Sequence, residues 1–360
     1  MLISTIIKFI FVSIFLIFTH ILIEITILNL YNFKKPNQFK LIIINIIFFS
    51  LIIIVTFFFK FINKYLFGLC YAFIGTYFGI YVYCLFFTIL NYILSYFFKI
   101  KKNVSKLLIF IFPLLIIIFA LYYNTIIHIK EVTYYYPNLN ENITIALLTD
   151  LHIGAIYKTG EVNRILNKID ESKIDIIVMT GDIVDSSDKI LSEYFSPFNN
   201  LNIPILYITG NHEQYYGKSE ALKELNENNL IHLDGKNYLL KNSVNFIGAD
   251  YENFNVIEYV KKINNNTDNN IPNILLYHVP NLKPKDLKEA NIFLMLSGHT
   301  HGGQIFPFHF FSNLRVKCFV GNYNYNDNNY VYVSPGIGTT FMPLRLLSKS
   351  SIILVKIQKK

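Results

Sequence analysis

Cysteine is scarce in this chain, with three in 360 residues. That excludes a fold stapled by disulfides. Cys70 and Cys84 fall in one apolar run, about 21 Å apart on a helix, which is beyond disulfide reach. Cys318 has no evident partner, so all three are expected to be inert thiols. Acidic residues are nearly missing from the first third. Residues 1–130 hold eleven lysines and one acid, Glu24, for a net +10, whereas residues 131–360 hold 21 basic and 23 acidic groups, net −2. The overall charge of +8 therefore belongs to the first third and gives no footprint of nucleic-acid binding.

Polar breaks are equally rare there. Four long apolar runs lie at about 2–31, 41–59, 66–98 and 107–123, each near the ~18-residue mark of a membrane span. The first has no basic start and no small-residue cleavage site, so it is not a cleavable signal peptide. The third is longer than one span requires and is expected to tilt or break. Residues 1–125 are thus predicted to be transmembrane helices, about four spans in all. The loops with Lys34, Lys35 and Lys40, and with Lys99, Lys101, Lys102 and Lys106, are richer in lysine than the one with Lys60 and Lys64. The positive-inside rule then makes the protein a multi-pass cell-membrane protein with its C-terminal domain outside the cytoplasm.

From residue 126 to 360 the pattern changes. "IIHIKEVTYYY" reads as a strand, and short apolar runs then alternate with helix-like stretches such as "GEVNRILNKIDESK". That rhythm predicts an α/β domain with a buried sheet. Five of the runs end in polar groups that can bind metal. "ITIALLT" leads into Asp150 and His152, "IDIIVMTG" into Asp182, and "IPILYITG" into Asn211 and His212. "NILLY" leads into His278, and "IFLMLSG" into His299 and His301. In α/β sheets the carboxyl ends of strands are where sites form. The paired histidines of "SGHTHGGQ" suit a loop, because glycines this dense are poor strand material.

With His212 held back, the set comprises two carboxylates, one amide oxygen and four imidazoles. Seven donors are too many for one tetrahedral ion. They suit two ions about 3.5–4 Å apart that share a carboxylate, a site that can deprotonate water and clamp the oxygens of a phosphate ester. A nitrogen and oxygen set without thiolate favours manganese, iron or zinc over a structural zinc site. The glycines before Asp182, Asn211 and His299 are expected to let the chain turn at the sheet edge.

"TDLHIG", "GDIVD", "GNHE", a lone His278 and "SGHTHGGQ", in that order, resemble the calcineurin-like metallophosphoesterase superfamily. "YVSPGIGTTFMPLR" and the apolar start are similar to its membrane-associated bacterial branch of YkuE- and YaeI-like phosphodiesterases. The resemblance implies a four-layer αββα sandwich. It implies one ion on Asp150, His152, Asp182 and His301, and another on Asp182, Asn211, His278 and His299, with Asp182 bridging. It also implies that His212 protonates the leaving group while a metal-bound hydroxide attacks. Purple acid phosphatases carry a tyrosine three residues after the bridging Asp. Here that position is Asp185, so no iron–tyrosinate centre is expected, and Asp185 either orients a ligand or caps a helix.

Among the remaining residues, His20, His128, His232 and His309 are expected to be structural, although His309 lies near the "GGQ" loop and could touch substrate. Arg345 suits either phosphate recognition or a surface salt bridge. The expected partners are the bilayer and a phosphate-ester substrate: a phospholipid, a lipid-linked phosphate or a lipid-sugar nucleotide pyrophosphate. The last requires a cytoplasmic site. The alternative is a catalytically weak scaffold or sensor on the same fold. Transport through the spans has little support, since Glu24 is their one acid.

Overall fold

The apolar runs and the alternating pattern behind them fold as different units. The computed structural model describes residues 17–31, 43, 45–47, 50, 64–252, 255–264, 270–314, 316–326 and 329–360. It divides into two compact units, Met1–Leu121 and Tyr122–Lys360.

Among the described residues of the first unit two helices are long and apolar enough to cross a bilayer: Leu66–Phe97, of 32 residues, and Lys102–Asn124, of 23 residues, which ends just past the unit boundary. A shorter apolar helix covers Ile17–Leu30. Most of the expected second span, and the start of the first, lie outside the described residues. The third run does not break. As one helix it is about 48 Å long, more than a ~30 Å hydrocarbon core requires. The Lys102–Asn124 helix widens to a π-turn at Leu107–Ile111, just before Pro113, whose ring opposes a regular α-helical bond to the preceding turn. Leu69, Phe73, Ile118 and Phe119 are exposed, a surface that suggests membrane association. His20 is not an isolated polar group. Its Nε2 lies 2.9 Å from the Tyr77 hydroxyl and its Nδ1 3.5 Å from Glu24. Asn45 donates to Glu24 at 3.0 Å. Such bonds tie helices together in an apolar setting.

Among the described residues the second unit holds twelve strands in two six-stranded sheets. The first sheet runs β1 (His128–Tyr136), β12 (Ser351–Lys359), β2 (Ile143–Leu148), β3 (Ile176–Thr180), β4 (Ile205–Ile208) and β5 (Ile231–His232). The second runs β10 (Gly321–Asn326), β11 (Asn329–Val333), β9 (Leu294–Ser297), β8 (Asn273–Tyr277), β7 (Val244–Ala249) and β6 (Asn237–Leu240). β2 to β5 are parallel, as are β11, β9, β8 and β7. β12 enters between β1 and β2, parallel to the first and antiparallel to the second.

Alternation along each strand builds three cores. Ile145 and Leu147 of β2 face the other sheet, meeting Phe246, Leu276 and Leu296. Ala146 and Leu148, the intervening residues, face helices. There they join Val162 and Ile165 of the helix Thr159–Leu166 and Leu225 of the helix Lys218–Asn226. Behind the second sheet, Ile247, Leu275 and Met295 pack on Val260 of the helix Val256–Asn264 and Leu287 of the helix Pro284–Glu289. Because both faces are covered, β3 and β8 are buried at every position. That is why their sequences read as unbroken apolar runs.

Candidate metal centre

β2, β3 and β4 are parallel neighbours, and so are β8 and β9. Their carboxyl ends carry all eight residues singled out from the sequence. Past those ends the backbone leaves its ordinary range. Asp150, His152, Asp182, His299 and His301 have φ of 52°, 49°, 51°, 74° and 50°. Short polar side chains tolerate this left-handed region better than most, yet each such residue costs on the order of 1–3 kcal/mol. The loops are held there by one another. Asp150 N–H donates to the Gly181 carbonyl at 3.1 Å, and His152 N–H to that of Asp182 at 3.1 Å.

The glycines serve in two ways. Gly181, at φ +88°, does turn the chain. Gly210 and Gly298 are needed for room instead, since a Cβ would fall 2.2 Å from the Asp182 and Asp150 carboxylates respectively.

The side chains converge. His152 Nε2 lies 3.1 Å from His301 Nε2, which is 3.5 Å from Asp150 Oδ1. His278 Nε2 is 3.2 Å from Asp182 Oδ2, 3.2 Å from Asn211 Oδ1 and 3.2 Å from His299 Nδ1. Asp182 Oδ2 also faces His152 Nε2, at 3.9 Å, and so lies between the two groups. His278 Nδ1 donates to the Thr180 carbonyl at 2.8 Å, which turns its Nε2 toward Asp182, Asn211 and His299. Imidazole nitrogens, carboxylates and an amide oxygen gathered this closely form a donor set that fits divalent ions.

The electrostatics agree. Burial pushes His152 down to about 3 and His299 to about 4. Burial and the neighbouring His152 hold His301 well below the usual imidazole range. These rings are therefore neutral, the form that ligates. Burial acts to lower His278 as well, but Asp182 beside it lifts it to about 9. Burial raises Asp150 to about 6. Asp182 resists the same pressure, because His278 and His152 hold it well below the carboxylate range.

His212 sits half-buried at the edge of this cluster. Its backbone N–H donates to Asp182 Oδ1 at 2.9 Å, and its Nδ1 lies 3.2 Å from the Ser186 hydroxyl. A ring nitrogen of His212 also falls within 4.8 Å of donor atoms of His152 and Asp182. Asp185 sits beside the loop that follows His152, its N–H donating to the Ile153 carbonyl at 2.8 Å. It closes a turn by accepting from Ser187 N–H at 3.2 Å and Ser187 Oγ–H at 2.6 Å, and no helix follows directly. His232 is structural, 3.0 Å from Asp250. Arg345 fits neither expectation for it: it is 0% exposed, so it forms no surface salt bridge and does not reach open solvent.

Glu213 escaped the sequence reading. Its buried carboxylate accepts four backbone N–H groups: Ile183 and Val184 on Oε1 at 2.7 and 2.9 Å, Asp182 and Gly210 on Oε2 at 3.1 and 2.6 Å. Burial and the Asp182 charge push it up to about 7, against the pull of those donors. The available signal was a glutamate three residues after Gly210 at a helix start, where it can reach back to the N-cap amide. Gln304 was missed too. It accepts from Thr340 N–H at 3.0 Å and donates to the Met342 carbonyl at 2.9 Å, which anchors the "TTFMP" segment.

Two mixed sheets that aim seven nitrogen and oxygen donors at one cleft define an α/β protein with a candidate divalent-cation centre. The sequence profile of calcineurin-like phosphoesterases matches residues 143–303. An uncharacterised metallophosphoesterase of Campylobacter jejuni is 30% identical over 77% of this chain and 79% of its own. A Danio rerio transmembrane protein with metallophosphoesterase domain is 29% identical over 60% of this chain and 53% of its own. YkuE of Bacillus subtilis, an uncharacterised metallophosphoesterase, is 28% identical over 60% and 79%. The chain spans 64% of the length of the two Helicobacter pylori metallophosphoesterases it matches. The chain belongs to the calcineurin-like metallophosphoesterase family.

Proposed function

We propose that this chain is a membrane-anchored phosphoesterase of the phosphodiesterase type. It works with two divalent ions, manganese being the first to test, on a phosphate ester or pyrophosphate carried by a lipid or presented at a bilayer surface. Asp150, His152, Asp182 and His301 hold one ion, and Asp182, Asn211, His278 and His299 the other. The observation that carries this is the position of Asp182 Oδ2, 3.2 Å from His278 and 3.9 Å from His152, on the seam between the two donor groups.

Bound there, the ions supply Lewis-acid polarisation of the phosphoryl group and acidify a water. The chain's own residues do the rest. The left-handed loops fix the donor edges before substrate arrives, so no reorganisation is needed at reaction. His212, beside Asn211 and steadied by Ser186, is placed to give a proton to the departing oxygen. The two long apolar helices support a membrane anchor; the count of about four spans rests on the four apolar runs, and the lysine distribution supports a catalytic domain outside the cytoplasm.

The test is metal removal from the purified full chain. Chelation should abolish hydrolysis of bis(p-nitrophenyl) phosphate and Mn²⁺ should restore it, with two ions per chain by metal analysis. Asp182→Asn should lose both ions together. Hydrolysis that survives complete stripping, or a variant that retains both ions, overturns the assignment. A metal-loaded chain that leaves every ester intact is a scaffold.

A further inference from the structure

Arg345 is the bulkiest fully buried side chain among the described residues, at 0% exposure. A guanidinium removed from water is costly unless a counter-charge or a full set of acceptors compensates it. Among the described residues no carboxylate pairs with it, and its Nε has no partner. Its other nitrogens explain its place. Nη2 donates to the Gly338 carbonyl at 2.6 Å, and Nη1 to Ser348 Oγ at 3.0 Å. Gly338 N–H in turn donates to the Asp150 carbonyl at 2.8 Å, and Ile337 N–H to that of Thr149 at 3.1 Å. The Ser348 hydroxyl donates to the His301 carbonyl. One arm of the fork thus ends on the loop carrying Asp150 and His152, and the other on the loop carrying His301.

We propose that Arg345 is a positioning residue that braces these two loops against each other and so sets the affinity of the Asp150, His152 and His301 half of the centre for its cation. The proposal rests on the two-ion reading. Residue 345 lies outside the stretch that matches the family profile, 143–303, in the C-terminal loop that follows β11. Arginine suits the task because its planar fork sends rigid donors in two directions, whereas a lysine is a single charged point.

Charge and bracing predict opposite signs. A buried cation beside a cation site opposes metal binding, so if Arg345 acted by charge alone, removing it would tighten binding. Bracing predicts that removal weakens it. The measurement is calorimetric titration of Mn²⁺ into the stripped full chain in detergent, with melting followed in parallel. Arg345→Met and Arg345→Lys should each weaken one of two sites by about 10–100-fold, as loss of a ligand's support does, and leave the other unchanged. Ser348→Ala keeps the buried charge and cuts only the arm to His301. It should weaken the same site while remaining folded, which keeps the idea testable if Arg345 variants do not fold. Unchanged or tighter binding at both sites in Ser348→Ala overturns the assignment. Wild-type protein that takes up no divalent ion sinks the metal-centre reading, and the brace with it.

Discussion

Glu213→Gln is a demanding test of how the centre is built. The native carboxylate accepts two N–H groups on each oxygen. A glutamine of the same shape keeps one acceptor and turns an amide NH₂ toward the other pair. In one orientation Ile183 and Val184 face a donor, and in the other Asp182 and Gly210 do. Either way two of four bonds are lost in a fully buried place. Hydrogen bonds to a charged group contribute about 1.5–3 kcal/mol each, so above about pH 7, where Glu213 is ionised, the loss is roughly 3–6 kcal/mol, a large share of a ~5–15 kcal/mol stability. For a domain of this size that is a fall in melting temperature of roughly 6–24 °C. Thermal melts of the detergent-solubilised chain measure it, and Mn²⁺ titration at a temperature where the variant is folded shows whether the Asp182 and Asn211 loops have separated. A fall of less than about 2–4 °C, the equivalent of ~1 kcal/mol, together with unchanged Mn²⁺ affinity, would refute the view that this carboxylate holds the two loops.

Two further outcomes are expected. His212→Asn should keep both metals and its fold while kcat drops by about 10²–10⁴. The drop should be steepest for esters with poor leaving groups, because nitrophenolate needs little proton donation. Loss of metal instead would make His212 a ligand, as its distance from His152 and Asp182 permits. With Cys70, Cys84 and Cys318 replaced by alanine, an impermeant thiol reagent on intact cells should label a cysteine at the exposed position Lys168 and spare one at Lys101. The reverse pattern puts the catalytic domain in the cytoplasm.

The site's members were legible because each follows an apolar run, and a buried parallel strand can end in a carboxylate or imidazole only where something uses it. Asp150, Asp182 and His278 are of this kind. The two-sheet division was not legible from local pattern. β3 and β8 read alike, and only pairing across the chain assigns them to different sheets. Nor could the sequence show why Gly210 is glycine, since the atom that excludes a side chain there belongs to Asp182. Arg345 was misjudged for a related reason. Arginine is seldom buried, and the carbonyl and hydroxyl that accept from it lie in a loop with no regular structure. Glu213 lies within "GNHE", but its partners at 182–184 are distant in sequence, so no local pattern marks those bonds.

The place of β12 between β1 and β2 has a consequence for synthesis. Among the described strands β1 pairs with β12 alone, Ser351 opposite His128. The ribosome therefore finishes β1 and β2 long before it makes the strand that joins them. At about 5–20 residues per second that interval is roughly 10–45 s. Through it the nascent domain carries two strand edges that face each other with nothing between them. Completion of the first sheet is thus timed by the arrival of residues 351–359.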